Sequence, residues 1–386
     1  MSDSDRQYIR AAGIYDPDVG GMDGTVLEFS DGTVCAVRDD VPQNGELVFD
    51  TEGYVLPGLV DAHSHASIRP GEGDQIAQMR ADPAEQAVRA AHNLRADLDA
   101  GVTTMRLMAA ERYIDVTLAR LEREGELDAP RLLPSGVHLT PTGGHGKALT
   151  ATDGPEQVRD RVRTNYDRGA HHSKYFATGG VSSDAGGLDT PNYTREEVET
   201  IVAESHRLGL HVATHAHGGP GATQAIDCGV DTIEHAATLG PAAIDALDGG
   251  DQFVVGTFSI LMNPEGIEKG DADSHAIMEN VRDARETVRE TWTSLVDRDI
   301  PLALGTDSMH GNLYEEMQLL REFGASTDQA IRAATSDAAR AAHIDHRAGT
   351  LTRGKSADVV VVADDPHETF ETLADPVAVF KRGVRQ

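Results

Sequence analysis

Between about residue 58 and about residue 345 the chain alternates eight short apolar, β-branched runs with longer stretches of helical spacing. No other feature constrains the fold as tightly. Parallel strands cannot be joined by tight turns and need crossovers of a dozen or more residues, so this alternation is the signature of a parallel α/β architecture. The runs are Leu59–His63, Val102–Met108, Leu132–Leu139, His172–Thr178, His211–Ala216, Asp231–Ala236, Phe253–Ser259 and Leu302–Asp307. Segments rich in alanine, arginine and glutamate separate them, among them Pro83–Leu98, Arg195–Leu208 and Ala276–Asp297. Eight strands with eight crossovers predict a (β/α)8 TIM barrel, and the span of roughly 290 residues suits a fold that typically takes about 250.

The flanks read differently. Residues 24–55 alternate in the manner of short antiparallel strands, with turn signals at Asp31-Gly32 and Asn44-Gly45. The tail repeats the style in Asp358–Ala363 and Val377–Lys381. Neither flank supplies enough strands for a stable sheet of its own. The expectation is therefore a small composite β-sandwich domain made of residues 1–57 together with 346–386, beside a barrel spanning 58–345. The segment Gly179–Asn192, after the fourth run, is the longest irregular stretch and a candidate active-site loop.

Composition narrows the function. Among 386 residues, 34 lysines and arginines face 64 aspartates and glutamates, a formal net charge of −30. The acidity is spread along the chain, so most of the surface would repel nucleic acid or an anionic bilayer. Only five of the basic residues are lysine (Lys147, Lys174, Lys269, Lys355 and Lys381). This resembles proteins of salt-loving organisms, whose counterions screen such a surface. No window reaches the ~18 apolar residues of a membrane span, and the opening residues Met1 to Arg6 lack the basic start and apolar run of a signal peptide. A cytoplasmic location is expected. Cys35 and Cys228 have no cysteine neighbours and read as inert thiols.

Candidate chemistry sits at the carboxyl ends of the runs. In Asp61-Ala62-His63-Ser64-His65 the two histidines are two residues apart, so both project toward the barrel mouth. A His-x-His is a weak signal by itself, since most histidines are structural. Lys174 lies inside the apolar fourth run, where an unpaired ammonium is costly to bury. Either an acidic neighbour pairs with it, or CO₂ carbamylates it into a carboxylate able to bridge two cations. The fifth run ends in Thr214-His215-Ala216-His217-Gly218, the sixth in Ile233-Glu234-His235 and the eighth in Gly305-Thr306-Asp307. Five strands thus point imidazole nitrogens and carboxylate oxygens at one place, a donor set suited to Zn²⁺ or a similar divalent ion. His145, in Thr142-Gly143-Gly144-His145-Gly146, stands on a glycine loop from which an imidazole can reach a substrate carbonyl. Ser182, Ser183 and Arg106 are weaker candidates for a substrate's polar end. His92, His206, His275, His343 and His346 read as structural, and His171, His172 and His310 stay unassigned.

Gly58-Leu59-Val60-Asp61-Ala62-His63-Ser64-His65, Lys174 before Ala177-Thr178-Gly179-Gly180-Val181, Thr214-His215-Ala216-His217-Gly218, Ile233-Glu234-His235 and Gly305-Thr306-Asp307 together resemble the amidohydrolase superfamily. The similarity is to its imidazolonepropionase-like and metal-dependent prolidase-like branch. Gly349-Thr350-Leu351 and Gly354-Lys355-Ser356-Ala357-Asp358 extend it nearly end to end. The resemblance implies two divalent metals, Zn²⁺ first, with Mn²⁺, Fe²⁺ or Co²⁺ accepted by the same ligands. His63, His65 and Asp307 would hold one, His215 and His235 the other, and carbamylated Lys174 with a hydroxide would bridge them. His217 would lie further out, nearer substrate. Asp307 would act as general base and then general acid, and family habit implies a homo-oligomer.

The implied reaction is hydrolysis of a C–N amide bond, acyclic or cyclic, in a small molecule. Lactone, ester or organophosphate hydrolysis on the same metals, a mononuclear deaminase and a non-catalytic relative are the alternatives. Two departures bear on substrate. The second strand keeps an arginine, in Met105-Arg106-Leu107-Met108-Ala109, without the aspartate that often follows it. After His235, Ala236-Ala237-Thr238-Leu239 has no tyrosine to grip a terminal carboxylate, which argues against a dipeptide. An aromatic content of 4% gives little support to a pocket for flat heterocycles.

Overall fold

The computed structural model describes residues 6–386 apart from 23, 44, 183–186 and 299. Eight parallel strands carry the site: β1 Leu59–Ser64, β2 Val102–Leu107, β3 Arg131–Leu133, β4 His172–Phe176, β5 His211–Gly218, β6 Thr232–Thr238, β7 Phe253–Gly256 and β8 Leu302–Leu304. They form two parallel ladders, β3-β2-β1 and β4-β5-β6-β7-β8, and no single closed sheet is formed among the described residues. The expected third run is where the ladder breaks. Pro134 has no N–H to donate and Gly136 turns at φ +72°, so β3 stops at Leu133. Pairing resumes only at Leu139, which makes an isolated parallel bridge with Tyr175. Leu139 N donates to Lys174 O at 2.9 Å there, and Phe176 N to Leu139 O at 3.1 Å. At the other junction Asp307 N donates to His63 O at 2.8 Å.

Amphipathic helices cover the strands. His275–Asp297 buries Val281, Ala284, Val288, Trp292 and Leu295, the three-and-four spacing that puts one face against a core. Ser274 caps it by accepting from Ile277 N. Trp292 is fully buried, meets the Phe258 ring edge-on at 4.6 Å, and donates from Nε1 to His235 O at 3.2 Å. The helix therefore braces a site residue as well as the core. Arg195–Arg207 opens with a reciprocal capping box between Thr194 and Glu197.

Strands from both flanks meet. One sheet has the order Thr33–Arg38, Val26–Ser30, Gln7–Arg10, Glu46–Asp50; the second runs Val384–Arg385, Ala378–Lys381, Val359–Val362, Tyr54–Pro57, Gly13–Asp16, Gly21–Met22. Ile9, Leu27 and Phe29 of the first share a core with Val55, Val359 and Phe380 of the second. The Asp31-Gly32 signal forms the two-residue hairpin turn, with φ of +50° and +70°, as this turn type demands. Asn44 of the other signal lies outside the described residues. A buried Arg131–Asp358 ion pair of 2.8 Å ties β3 to the tail.

Candidate active site

His63 and His65 leave the end of β1 on the same side, as the alternation requires. Asp61 beneath them accepts hydrogen bonds from His63 N at 3.0 Å, Thr306 N at 3.1 Å and Thr306 Oγ1 at 2.6 Å, locking β1 to the segment after β8. That segment comes very close. A Cβ on Gly305 would lie 2.4 Å from His63 N, so only glycine lets the two backbones meet. Asp307 and Ser308 then adopt φ of +46° and +76°. Such left-handed conformations cost about 1–3 kcal/mol each and concentrate at functional sites. They place Asp307 Oδ1 3.5 Å from His63 Nε2 and 3.3 Å from His65 Nε2. Burial would raise the Asp307 carboxyl, but the two histidines on its oxygens hold it well below the usual carboxylate range.

His63 is oriented from behind by Glu234, whose Oε2 lies 2.7 Å from His63 Nδ1. Burial pushes Glu234 up, yet the Arg106 charge and the His63 contact outweigh it and bring the carboxyl down to about 2. Glu234 and its neighbour His235 both face inward, which strict strand alternation forbids. The exception arises because His235 and Ala236 take φ of +73° and +50°. Glu234 was not among the sequence candidates. Its signal was present in Ile233-Glu234-His235, but a regular strand allows only one of the two to point in.

The expectation for Arg106 needs correcting, because the structure does not bring it into the cavity. Its side chain is 0% exposed, and its guanidinium donates to Ala62 O, Thr232 Oγ1, Ala341 O and both oxygens of Glu234, at 2.6 to 3.3 Å. Every bond holds interior structure together. None is left for a ligand.

The remaining imidazoles close the cluster. His215 lies beside Phe176 in the β4–β5 register, and His235 beside Ala216 in the β5–β6 register. Ring centroids are 4.4 Å apart for His215 and His235, 4.7 Å for His63 and His235, 4.8 Å for His215 and His217, and 4.6 Å for His145 and His215. Burial drives His215 and His235 well below the ordinary imidazole value, His217 down to about 4 and His145 down to about 3. They are neutral near pH 7 and their lone pairs are free to ligate. His145 is held in place from both sides: Thr140 Oγ1 donates to its carbonyl at 2.7 Å, and its ring fills the space a Cβ on Gly180 would need.

Lys174, 1% exposed, makes no ion pair or hydrogen bond through Nζ among the described residues, and Nζ lies 5.3 Å from the Phe176 ring centre. Burial brings its pKa down to about 8, against the opposing pull of Glu234 and Asp307. Nδ1 of His65, His145 and His217 is also buried with no hydrogen-bond partner among the described residues. Each such group costs about 1–3 kcal/mol, so the cluster is built around something that satisfies them. Divalent cations fit this donor set: unpartnered imidazole nitrogens, an ionised carboxylate, and a carboxylate behind His63 that fixes its ring as outer partners of metal-bound histidines do.

The cluster forms one wall of a cavity whose empty volume is about 780 Å³, counting the space open to solvent. Ile68, Ile76, Met79, Phe258, Leu261 and Ile267 make much of the opposite wall. Ser182 lines it too, while Ser183 lies outside the described residues. No arginine lines the cavity among the described residues. Gln75 does, with its Nε2 unpartnered, and no motif in the sequence marked it.

A family model described as "Amidohydrolase family" matches residues 54–385. Ochratoxinase of Aspergillus niger is 28% identical over 368 residues, covering 84% of this chain and 73% of that protein. Imidazolonepropionase of Salinispora tropica is 26% identical over 378 residues, covering 89% and 87%. The crystal structure of a Xaa-Pro dipeptidase with bound methionine in the active site superposes with a TM-score of 0.90 at 25% identity, covering 99% of each chain.

Proposed function

Because the chain belongs to the amidohydrolase family, we propose that it is a metal-dependent enzyme hydrolysing a C–N amide bond in a small molecule whose non-reacting part is apolar. The observation that carries this reading is the pairing of two walls: unpartnered imidazoles with an ionised carboxylate on one side, and aliphatic and aromatic side chains without a guanidinium on the other. His63, His65 and Asp307 would hold one divalent ion, His215 and His235 a second, and carbamylated Lys174 would lie between them. Bound there, Zn²⁺ or a similar ion supplies a Lewis acid for the scissile carbonyl and lowers the pKa of water to about 7.

The chain's own groups do the rest. Asp307 turns Oδ1 toward His63 and His65, which leaves Oδ2, 3.9 Å from His235 Nδ1, as the freer oxygen. Asp307 takes the proton of the attacking water there and delivers it to the departing nitrogen, since an amine leaves only when protonated. His145 and His217 contact the carbonyl side, and Gln75 Nε2 and Ser182 bond the substrate's polar atoms. The aliphatic wall excludes water and binds the remainder of the substrate by burial, worth about 25 cal/mol per Å² covered.

The hydrogen bonds at the Leu139–Tyr175 and Asp307–His63 junctions support reading the eight strands as one (β/α)8 barrel over residues 58–345, with 1–57 and 346–386 as the composite β-domain. Among the described residues no helix is long and apolar enough to cross a membrane.

The test is a substrate panel assayed with added Zn²⁺ or Mn²⁺: N-acyl amides of apolar amino acids and aryl amides, against charged dipeptides, lactones and a phosphotriester. Apolar amides should give the highest kcat/KM. A preference for dipeptides with charged side chains, or turnover confined to the lactone or phosphotriester, would overturn the proposal.

A further inference from the structure

The geometry points to a second metal site at the opposite, amino-terminal ends of β4 and β5, built of His171, His172 and His211, which takes a divalent transition-metal ion independently of the active-site pair. His172 and His211 are direct partners in the β4–β5 ladder. Their rings stack with centroids 5.1 Å apart and planes 16° apart, and His171, whose backbone N–H is anchored on Pro134 O at 2.7 Å, brings its ring to 5.3 Å from His211. One ring nitrogen from each of the three lies within 4.8 Å of the others, the same closeness that His63, His65 and Asp307 show. Nitrogens held tetrahedrally on one Zn²⁺ at about 2.1 Å each sit roughly 3.4 Å apart, so the trio closes on an ion by ring rotations that move each pair of nitrogens together by at most about 1.4 Å.

The second observation is what these rings lack. Both nitrogens of His172, Nδ1 of His171 and Nε2 of His211 are buried with no hydrogen-bond partner among the described residues. Packing alone does not account for a buried imidazole with both nitrogens idle, because each forfeited bond costs about 1–3 kcal/mol. An ion gives these lone pairs a use. Neutral imidazoles select Zn²⁺, Ni²⁺ or Cu²⁺ over Mg²⁺ or Ca²⁺, which want oxygen. Burial keeps His172 and His211 uncharged and so competent to ligate.

The charges nearby are already matched. Arg106 is bound to both oxygens of Glu234, and Asp231 accepts from Val212 N and lies 2.8 Å from His206 Nε2. His343 stacks on His211 at 4.4 Å with its side chain 53% exposed, marking the way in from solvent. His211 and His215 are four residues apart on β5, about 13 Å at ~3.3 Å per residue, so this site shares no ligand with the active site.

The experiment uses the whole chain with the active-site histidine ligands of both ions removed as His63→Asn, His65→Asn, His215→Asn and His235→Asn. After chelation, Zn²⁺ or Co²⁺ is titrated in, with bound metal counted by elemental analysis and Co²⁺ coordination read by absorption. One equivalent should bind, and adding His171→Asn, at the half-buried edge, should weaken that equivalent at least tenfold while the melting curve stays cooperative. Unchanged affinity in the His171→Asn protein, or no equivalent bound, overturns the site. Anomalous diffraction at the zinc edge on wild-type crystals needs no variant: a peak between His171, His172 and His211 is expected, and water or empty space there in zinc-soaked crystals refutes the proposal.

Discussion

Strand β5 carries imidazoles at both tips, each tip part of a cluster, and the clusters differ in one respect that decides what each can do. At the carboxyl end the histidines are joined by Asp307 and Glu234, with Lys174 among them, and they face a cavity large enough for a small molecule. At the amino end His171, His172 and His211 stand without a carboxylate among their candidate ligands. Neutral imidazoles can hold an ion, but only a group with a movable proton and room for substrate beside it can turn binding into reaction. The difference between a structural and a reactive cluster therefore rests on two acids.

Three changes test that claim, starting with the largest expected effect. Asp307→Asn removes the acid that moves the proton, and kcat should fall by about 10²–10⁴. Elemental analysis should show most of the metal retained. Near wild-type turnover would mean the carboxylate is not what separates the two ends.

Glu234→Gln removes the acid behind His63. It leaves the buried Arg106 guanidinium without the carboxylate it is bonded to, for which about 3–5 kcal/mol of stability should be lost. Metal affinity at His63 should fall by about 10–100-fold. Denaturant unfolding and metal titration read the two effects separately, and loss of neither would reduce Glu234 to filler.

The third change concerns rate. Only the neutral amine of Lys174 takes up CO₂, and burial lowers its pKa from 10.5 to about 8. In protein stripped of metal at low pH, recovery of activity on adding Zn²⁺, with bicarbonate adjusted at each pH to hold dissolved CO₂ constant, should quicken as pH rises toward 8 and level off above it. Below 8 each unit should slow recovery about tenfold, following the neutral fraction. Recovery independent of bicarbonate would remove the carbamate from the proposal.

Much of this was legible in the residues. The helices over Arg195–Arg207 and His275–Asp297 follow from their apolar spacing, and His63 with His65 from strand alternation. Local rules failed where the backbone leaves its ordinary geometry. Pro134 and Gly136 cut the third strand short inside an apolar run. The left-handed turn at His235 and Ala236 lets Glu234 and His235 share one face. Arg106 misleads because a charge on a strand near the site resembles a substrate contact, while its partners, Glu234 and the Ala341 carbonyl, are distant in sequence. His172 and His211 were unremarkable apart until the ladder register set them side by side.

The sheet shared by the two flanks sets a timetable for the chain's birth. Tyr54–Pro57 finds its antiparallel neighbour in Val359–Val362, roughly 300 residues later. At a synthesis rate of ~5–20 residues per second the ribosome needs about 15–60 s to supply it. All that while, the nascent polypeptide carries an unzipped apolar edge of Val55 and Leu56, sticky to other unfinished chains. Cells making this protein in quantity should find its yield governed less by the finished molecule's stability than by whatever shelters that edge during translation.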